Sequence, residues 1–346
     1  MASSTDRWKV SERNSSPDLA LPLLVTGIAG VAGFNAFRYF REKFGEQVVG
    51  IRQQDNWPLY GPGIVACNAE HPDGLNRLFD QFQFRSVLNC AGNCALKSCE
   101  LDPALAWRTN VEGVENLLTT LRDSSTRLVH LSIDLVYAGT GSGGHTEEDP
   151  VDPVTVYGTT MVEAEERVLE ARPDACILRI SLPMGVSFNG HAGAIDWIQS
   201  RFKKSKPATL YFDEIRTPTY TDCLNRTFHQ VLAGDLHGIY HAGGPRRLSL
   251  YEIAQVVNRI GGYDPRYLMG CPRIEAGPMP PRAGNVSLVS DKLSLALGLP
   301  PFDPWPFHQE HVPTHRDWHR ERPPAQPGSP EYLAEVLYRN PGWKER

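Results

Sequence analysis

Apolar positions along the chain come in short compact blocks separated by longer amphipathic stretches. Residues 21–25 are an apolar run that ends in Thr26-Gly27, which predicts a buried strand. Phe34, Phe37, Phe40 and Phe44 then recur at helical spacing. The same reading predicts strands over 47–51, 86–90, 127–132 and 175–180. It predicts helices over 73–82, 111–122 and 156–170. Alternating strands and helices point to an α/β fold, a Rossmann-type doubly wound parallel sheet. After Ile180 the rhythm loosens. Residues 238–241 predict one more strand of the main sheet and 249–260 a helix, while 272–281 is proline-rich and irregular. Beyond Pro300, prolines and histidines dominate, with a short helix expected near 331–339. The expected organisation is a disordered N-terminal extension (1–18) and a Rossmann-type domain (19–180, with a returning strand and helix near 238–260). A smaller C-terminal substrate lobe (mainly 181–310) and a C-terminal extension (311–346) follow.

Composition narrows the function classes. The chain has 346 residues, 41% of them hydrophobic, enough to bury a core, which excludes wholesale disorder. No apolar run reaches the roughly 18 residues of a membrane span. The net charge of -5 argues against a general nucleic-acid binder. The seven cysteines include no C-x-x-C pair, the usage of a reduced, cytoplasmic protein. The polar, serine-rich start has no signal-peptide pattern.

The clearest chemical signal is Thr26-Gly27-Ile28-Ala29-Gly30-Val31-Ala32-Gly33, between the first strand and the first helix. Gly27 suits the tight turn, Gly30 leaves the backbone open to a pyrophosphate, and Gly33 lets the helix pack on the sheet. Amides near Val31 and Ala32 then face the phosphate charge. The second strand ends in Arg52, where NAD-binding proteins place a carboxylate for the adenosine ribose. Arginine accepts no hydrogen bond but pairs with a 2′-phosphate, so NADP is favoured, with NAD the alternative. The plain alternative for Arg52 is a surface arginine.

These residues, with several motifs in order, resemble the extended short-chain dehydrogenase/reductase family. The similarity runs from about residue 21 to about 299. The nearest branch is that of the dTDP-4-dehydrorhamnose reductases, the related epimerases and dehydratases, and the regulatory β subunit of methionine adenosyltransferase. Cys67-Asn68 falls where the family meets adenine. Asn89-Cys90-Ala91-Gly92 resembles its N-A-A-G turn beside the cofactor. Asn110-Val111-Glu112-Gly113 resembles its N-V-x-G helix, Ser132 to Tyr137 its S-[ST]-D-x-V-[FY] strand end, and Tyr157-Gly158 its Y-G-x-x-K start. The resemblance implies that Asn68, Ala91, Gly92, Asn110 and Tyr157 line the cofactor. It also implies that Tyr157 exchanges a proton with a sugar oxygen while nicotinamide exchanges a hydride.

Two family groups are absent. Met161 stands where the family has lysine, and Ile133 where it has a serine or threonine. Without a neighbouring ammonium Tyr157 is expected to stay protonated at neutral pH, which favours ketone reduction over alcohol oxidation. Asp134 is a further candidate acid-base group, or else a loop-capping carboxylate. Arg216 and Arg282 are candidates for substrate phosphates, with surface ion pairing as the alternative. Trp107 and Trp197 read as stacking or rim aromatics. His308, His311, His315 and His319 are close in sequence, but Pro313 interrupts any helix between them, and no metal site is expected. The resulting expectation is an NADP-dependent reductase of a keto nucleotide-linked deoxysugar. The alternatives are a cofactor-binding regulatory or scaffold protein with impaired catalysis, and a nucleotide-sugar epimerase or dehydratase. A nucleotide-sugar substrate and a homodimer are the partners expected.

Overall fold

The computed structural model describes residues 18–321 and 327–339; residues 1–17 of the expected N-terminal extension lie outside them, as do 322–326 and 340–346. The dinucleotide half runs β1 (Leu23–Val25), α1 (Val31–Phe44), β2 (Val48–Arg52), β3 (Ile64–Ala66), α2 (Pro72–Phe82) and β4 (Ser86–Asn89). It continues through α3 (Leu96–Leu101), α4 (Pro103–Trp107), α5 (Gly113–Thr120), β5 (Arg127–Ile133), α6 (Val156–Ala171) and β6 (Cys176–Ile180). The rest comprises β7 (Pro183–Met184), α7 (Ala194–Lys203), β8 (Ala208–Tyr211), β9 (Ile215–Arg216), β10 (Thr219–Tyr220) and α8 (Thr221–Ala233). It closes with β11 (Gly238–Ala242), β12 (Leu248–Ser249), α9 (Leu250–Ile260), β13 (Leu268–Cys271), α10 (Asp291–Leu297) and the short α11 (Pro330–Leu333), where a short helix was expected.

The main sheet has seven strands in the order β11-β6-β5-β4-β1-β2-β3, all pairs parallel. The order reverses beside β1, and such a switch point opens a crevice at the carboxyl ends of the strands. Strand alternation divides the core. Leu23 and Val25 face a cluster with α1 and α8, while Leu24 faces a second with α2, α5 and α6. The short strand β3 and the helices α3 and α4 escape the hydrophobic pattern. β3 is three residues long with glycines and a proline just before it, and α3 and α4 are single turns and little more.

Residues 183–184 to 268–271 add three two-stranded ribbons: β10-β7, which packs on α1 and α8, and β12-β9 and β13-β8, on which α9 packs, with α7 against β8. The histidine- and proline-rich segment does not stand off as an extension. Trp305 is fully buried and its indole N–H donates to the Leu337 carbonyl at 3.0 Å. Tyr251 and Gln255 of α9 donate to the Arg316 carbonyl, and the Arg259 guanidinium lies 4.1 Å from the Trp318 ring centroid. Burial of these aromatics outweighs the breaker residues around them. His311 and His319 are buried, whereas His308 and His315 lie at the surface, so the four imidazoles do not share a face.

Two interior imidazoles give the fold an acid limit. His130 of β5 and His241 of β11 are both fully buried. The Nδ1 of His130 meets Asn89 Nδ2 at 2.9 Å; the Nε2 of His241 meets the Tyr137 hydroxyl at 3.0 Å. Burial depresses both to about 4, helped at His241 by Arg179. The unfolded chain takes up these protons near the ordinary value of about 6.5. The stabilisation is therefore complete above that pH and is lost as pH falls toward 4. We expect denaturant-measured stability to drop over this window by on the order of 3 kcal/mol per imidazole. The drop should shrink in His130→Gln; an unchanged pH profile in that variant would refute the assignment.

Candidate cofactor and reductase site

The glycine loop is built for close approach. Gly27 has φ +63°, and a Cβ there would lie 2.2 Å from the Cys90 carbonyl oxygen. A Cβ at Gly33 would lie 2.4 Å from the Gly27 carbonyl oxygen, so this position lets α1 settle on the turn. At Gly30 a Cβ would meet, among the described residues, only the Gly27 carbonyl oxygen, at 3.5 Å, and no described side chain caps the helix that Gly30 precedes. The first-turn amides at Val31, Ala32 and Gly33 are thus left without a capping side chain, as an anion-binding helix start requires.

Cofactor-side residues divide between the open crevice and its scaffolding. The Ala91 and Cys90 amides both donate to Thr26 Oγ1, at 3.1 and 3.0 Å, and so fasten the loop after β4 to the glycine turn. Asn110 is buried and works as a clamp. Its Oδ1 accepts from the Asn93 amide at 2.6 Å, and its Nδ2 donates to Thr160 Oγ1 at 2.8 Å. Gly92 lies against this amide: a Cβ there would be 3.3 Å from Asn110 Oδ1. Thr160 Oγ1 in turn donates to the Tyr157 carbonyl. Asn110 therefore fixes the floor of the crevice relative to α6, a role hidden in the sequence because the partners are distant along the chain. Asn68 Oδ1 accepts from the Gln54 amide at 2.8 Å. The two residues line a groove of about 520 Å³ with Cys67, Pro72, Gly74 and Arg77 at the carboxyl ends of β2 and β3. Arg52 is anchored there: its Nε donates to the Leu59 carbonyl at 2.5 Å and its Nη1 to the Gln53 carbonyl at 2.8 Å. These features fit a dinucleotide, with the pyrophosphate at the glycine turn and the adenosine in the groove.

At the other end of the crevice Tyr157 sits in the first turn of α6, behind the cap formed by Thr155 Oγ1 on the Gly158 amide. Gly158 has no side chain, and a Cβ there would be 2.3 Å from the Leu135 carbonyl oxygen; this lets α6 abut the turn at Asp134–Val136. Tyr157 is 8% exposed, and its hydroxyl makes no hydrogen bond among the described residues. Burial pushes the phenol well above its usual value; Cys94, Asp134 and Cys99 push the same way, and Arg216 pulls against them. Met161 and Ile133 are both buried and apolar. Neither supplies a charge or a hydroxyl to Tyr157.

Asp134 has no exposure. Its Oδ2 accepts from Arg216 Nε at 2.6 Å and from Ser181 Oγ at 2.5 Å, and its Oδ1 accepts from Arg216 Nη2. Burial raises this carboxyl and the guanidinium opposes the rise. Arg216, expected on substrate phosphates, is 4% exposed and turned inward instead. A buried carboxylate needs a paired cation, and β9 delivers this one in bidentate register. Asp134 is correspondingly committed to an ion pair. Arg282 remains nearer the surface, with 24% of its side chain exposed and its guanidinium 4.7 Å from the Tyr211 ring centroid. Its Nη1 lies 3.7 Å from Glu214 Oε2. Trp107 and Trp197 are 39% and 49% exposed. Glu214 and Ser181 escaped the sequence reading. Glu214 carried one usable signal, the strand alternation that puts it on the face of Arg216; Ser181 carried none.

Comparison with known proteins identifies the family and the fold. The model of the RmlD substrate binding domain matches residues 22–312. A probable dTDP-4,6-dihydroxy-2-methyloxan-3-one 4-ketoreductase of Streptomyces antibioticus is 31% identical over 245 residues, covering 70% of this chain and 78% of that one. The methionine adenosyltransferase 2 subunit beta of Xenopus laevis is 26% identical over 244 residues, 67% of this chain and 69% of the relative. The solved dTDP-4-dehydrorhamnose reductase of Bacillus anthracis, a complex with NADP, superposes with a TM-score of 0.70 at 20% identity, covering 82% of this chain and 95% of that one. The UDP-glucose 4-epimerase of Thermus thermophilus, a complex with NAD, gives 0.71 at 23% identity, with 86% and 98% covered. Among the described residues no helix is long and apolar enough to cross a membrane. The chain belongs to the RmlD substrate binding domain family of the extended short-chain dehydrogenase/reductases.

Proposed function

We propose that this chain binds NADP and reduces the keto group of a nucleotide-linked deoxysugar, with Tyr157 as proton donor. The observation that carries the reading is a tyrosine held as a phenol by burial, in the first turn of α6 and at the crevice of a sheet with an open glycine turn. The relatives that are reductases of dTDP-linked sugars support it. When bound, NADPH would supply the hydride for the carbonyl carbon. Tyr157 would give its proton to the carbonyl oxygen, and a protonated phenol is the correct form for that step. The Val31 and Ala32 amides would hold the pyrophosphate, and Arg52 the 2′-phosphate. Apolar Ile133 and Met161 leave Tyr157 a protonated phenol, the form that can give a proton to a carbonyl oxygen.

The test is NADPH consumption with a dTDP-4-keto-6-deoxysugar. A chain that binds NADPH and leaves it unspent across a panel of keto nucleotide sugars favours the second reading, a cofactor-holding regulatory protein. That reading is supported by the same apolar pair and by the adenosyltransferase subunit among the relatives. Cofactor choice is tested separately. Arg52→Ala is expected to weaken NADPH binding by about tenfold or more while moving NADH little. Equal effects on both dinucleotides would make Arg52 a brace for the loop after β2 and nothing more.

A further inference from the structure

Glu214 is a buried carboxylate whose charge is balanced but whose hydrogen-bonding capacity is not. It immediately precedes β9, and alternation places it on the strand face of Arg216, which grips Asp134 on the turn that α6 abuts. Its side chain is 3% exposed. Among the described residues no donor reaches Oε2. The nearest cationic nitrogen, Arg282 Nη1, is 3.7 Å away, close enough for charge attraction and too far for a hydrogen bond. Burial raises this carboxyl; Arg216, Arg282 and Arg273 oppose the rise and Asp134 adds to it. A buried acceptor without a donor is costly, and native proteins keep few of them.

The position suggests what the donor is. Arg282, Glu214, Arg216 and Asp134 alternate in charge from the partly exposed Arg282 side chain inward, Glu214 feeling both guanidinium charges and Arg216 gripping Asp134 on the turn beside Tyr157. Arg216 is spent on Asp134, so the open acceptor in this series belongs to Glu214. A sugar ring brought to Tyr157 carries hydroxyl donors around its reacting carbon. Resting on the nucleotide-sugar reading above, we propose that Glu214 Oε2 accepts a hydrogen bond from a ring hydroxyl of the substrate sugar, and so is a specificity-determining residue.

The experiment separates the sugar from the nucleotide. The full chain, saturated with NADPH, is titrated calorimetrically with dTDP and with dTDP-glucose, and with the UDP pair. The sugar should add affinity to the unmodified chain. Glu214→Leu should weaken dTDP-glucose about ten- to a hundredfold and leave dTDP within about twofold. Glu214→Gln, which keeps an acceptor oxygen and the side-chain shape, should fall between the two and guards against a leucine variant that folds poorly. Parallel losses for dTDP and dTDP-glucose would mean that Glu214 acts through Arg282 or through the fold, and would overturn the proposal. So would a sugar increment that survives in Glu214→Leu, or one absent from the unmodified chain. If NADPH binds but neither nucleotide nor nucleotide sugar does, the functional reading itself fails.

Discussion

Arg216→Met should lower the unfolding free energy by about 3–5 kcal/mol, among the largest losses open to a single side chain here. The cause is the carboxylate left behind. Asp134 is without solvent exposure, and three of its hydrogen bonds come from Arg216 and Ser181, two of them from the guanidinium. Removing the cation leaves a charge that water cannot reach. The double variant Asp134→Leu/Arg216→Met should recover most of the loss, because an apolar pair of similar volume needs no partner. Urea melts of the three proteins check this. A single-variant loss below about 1 kcal/mol would mean that Asp134 is already neutral when folded or that water reaches it, contrary to the sealed geometry.

The second large effect is on chemistry. Tyr157→Phe should cut NADPH-dependent turnover by roughly 10²–10⁴ and leave NADPH affinity within about twofold. Stability should hardly move, since the hydroxyl has no hydrogen bond among the described residues to lose. Retained turnover would transfer the acid role to another group, and a large loss of NADPH affinity would make Tyr157 a cofactor contact first. Neither outcome resembles that of Arg216→Met, where stability falls and any kinetic change follows from it.

Much of the architecture was legible because it rests on local periodicity. The strands near Leu23, Val48, Ser86, Arg127 and Cys176 are buried on both faces and so read as short blocks rich in apolar residues. The glycine turn was legible because backbone sterics demand those glycines at that spacing. What stayed hidden depends on contacts between distant residues. Nothing near Arg216 in the chain announces that its partner is Asp134, and a phosphate and a buried carboxylate attract the same guanidinium. Asn110 looked like a cofactor ligand because an amide serves equally well as a clamp. The placement of the segment after Pro300 is hidden for a compositional reason. Its prolines and histidines outnumber its anchors, yet Trp305 and Trp318 decide where it lies.

The hydrophobic cluster that begins with Leu19 and Leu23 also contains Trp305, Val336 and Leu337. Within it α1 packs directly on α8, whose Leu224, Phe228 and Val231 leave the ribosome some two hundred residues after Leu23. Until then the growing chain carries β1 and α1 with their apolar flank uncovered, a state prone to sticking to its neighbours. Rapid early collapse of the opposite face, where Leu24, Val49 and Val87 meet α2 and α5, would give the nascent chain a foothold while it waits.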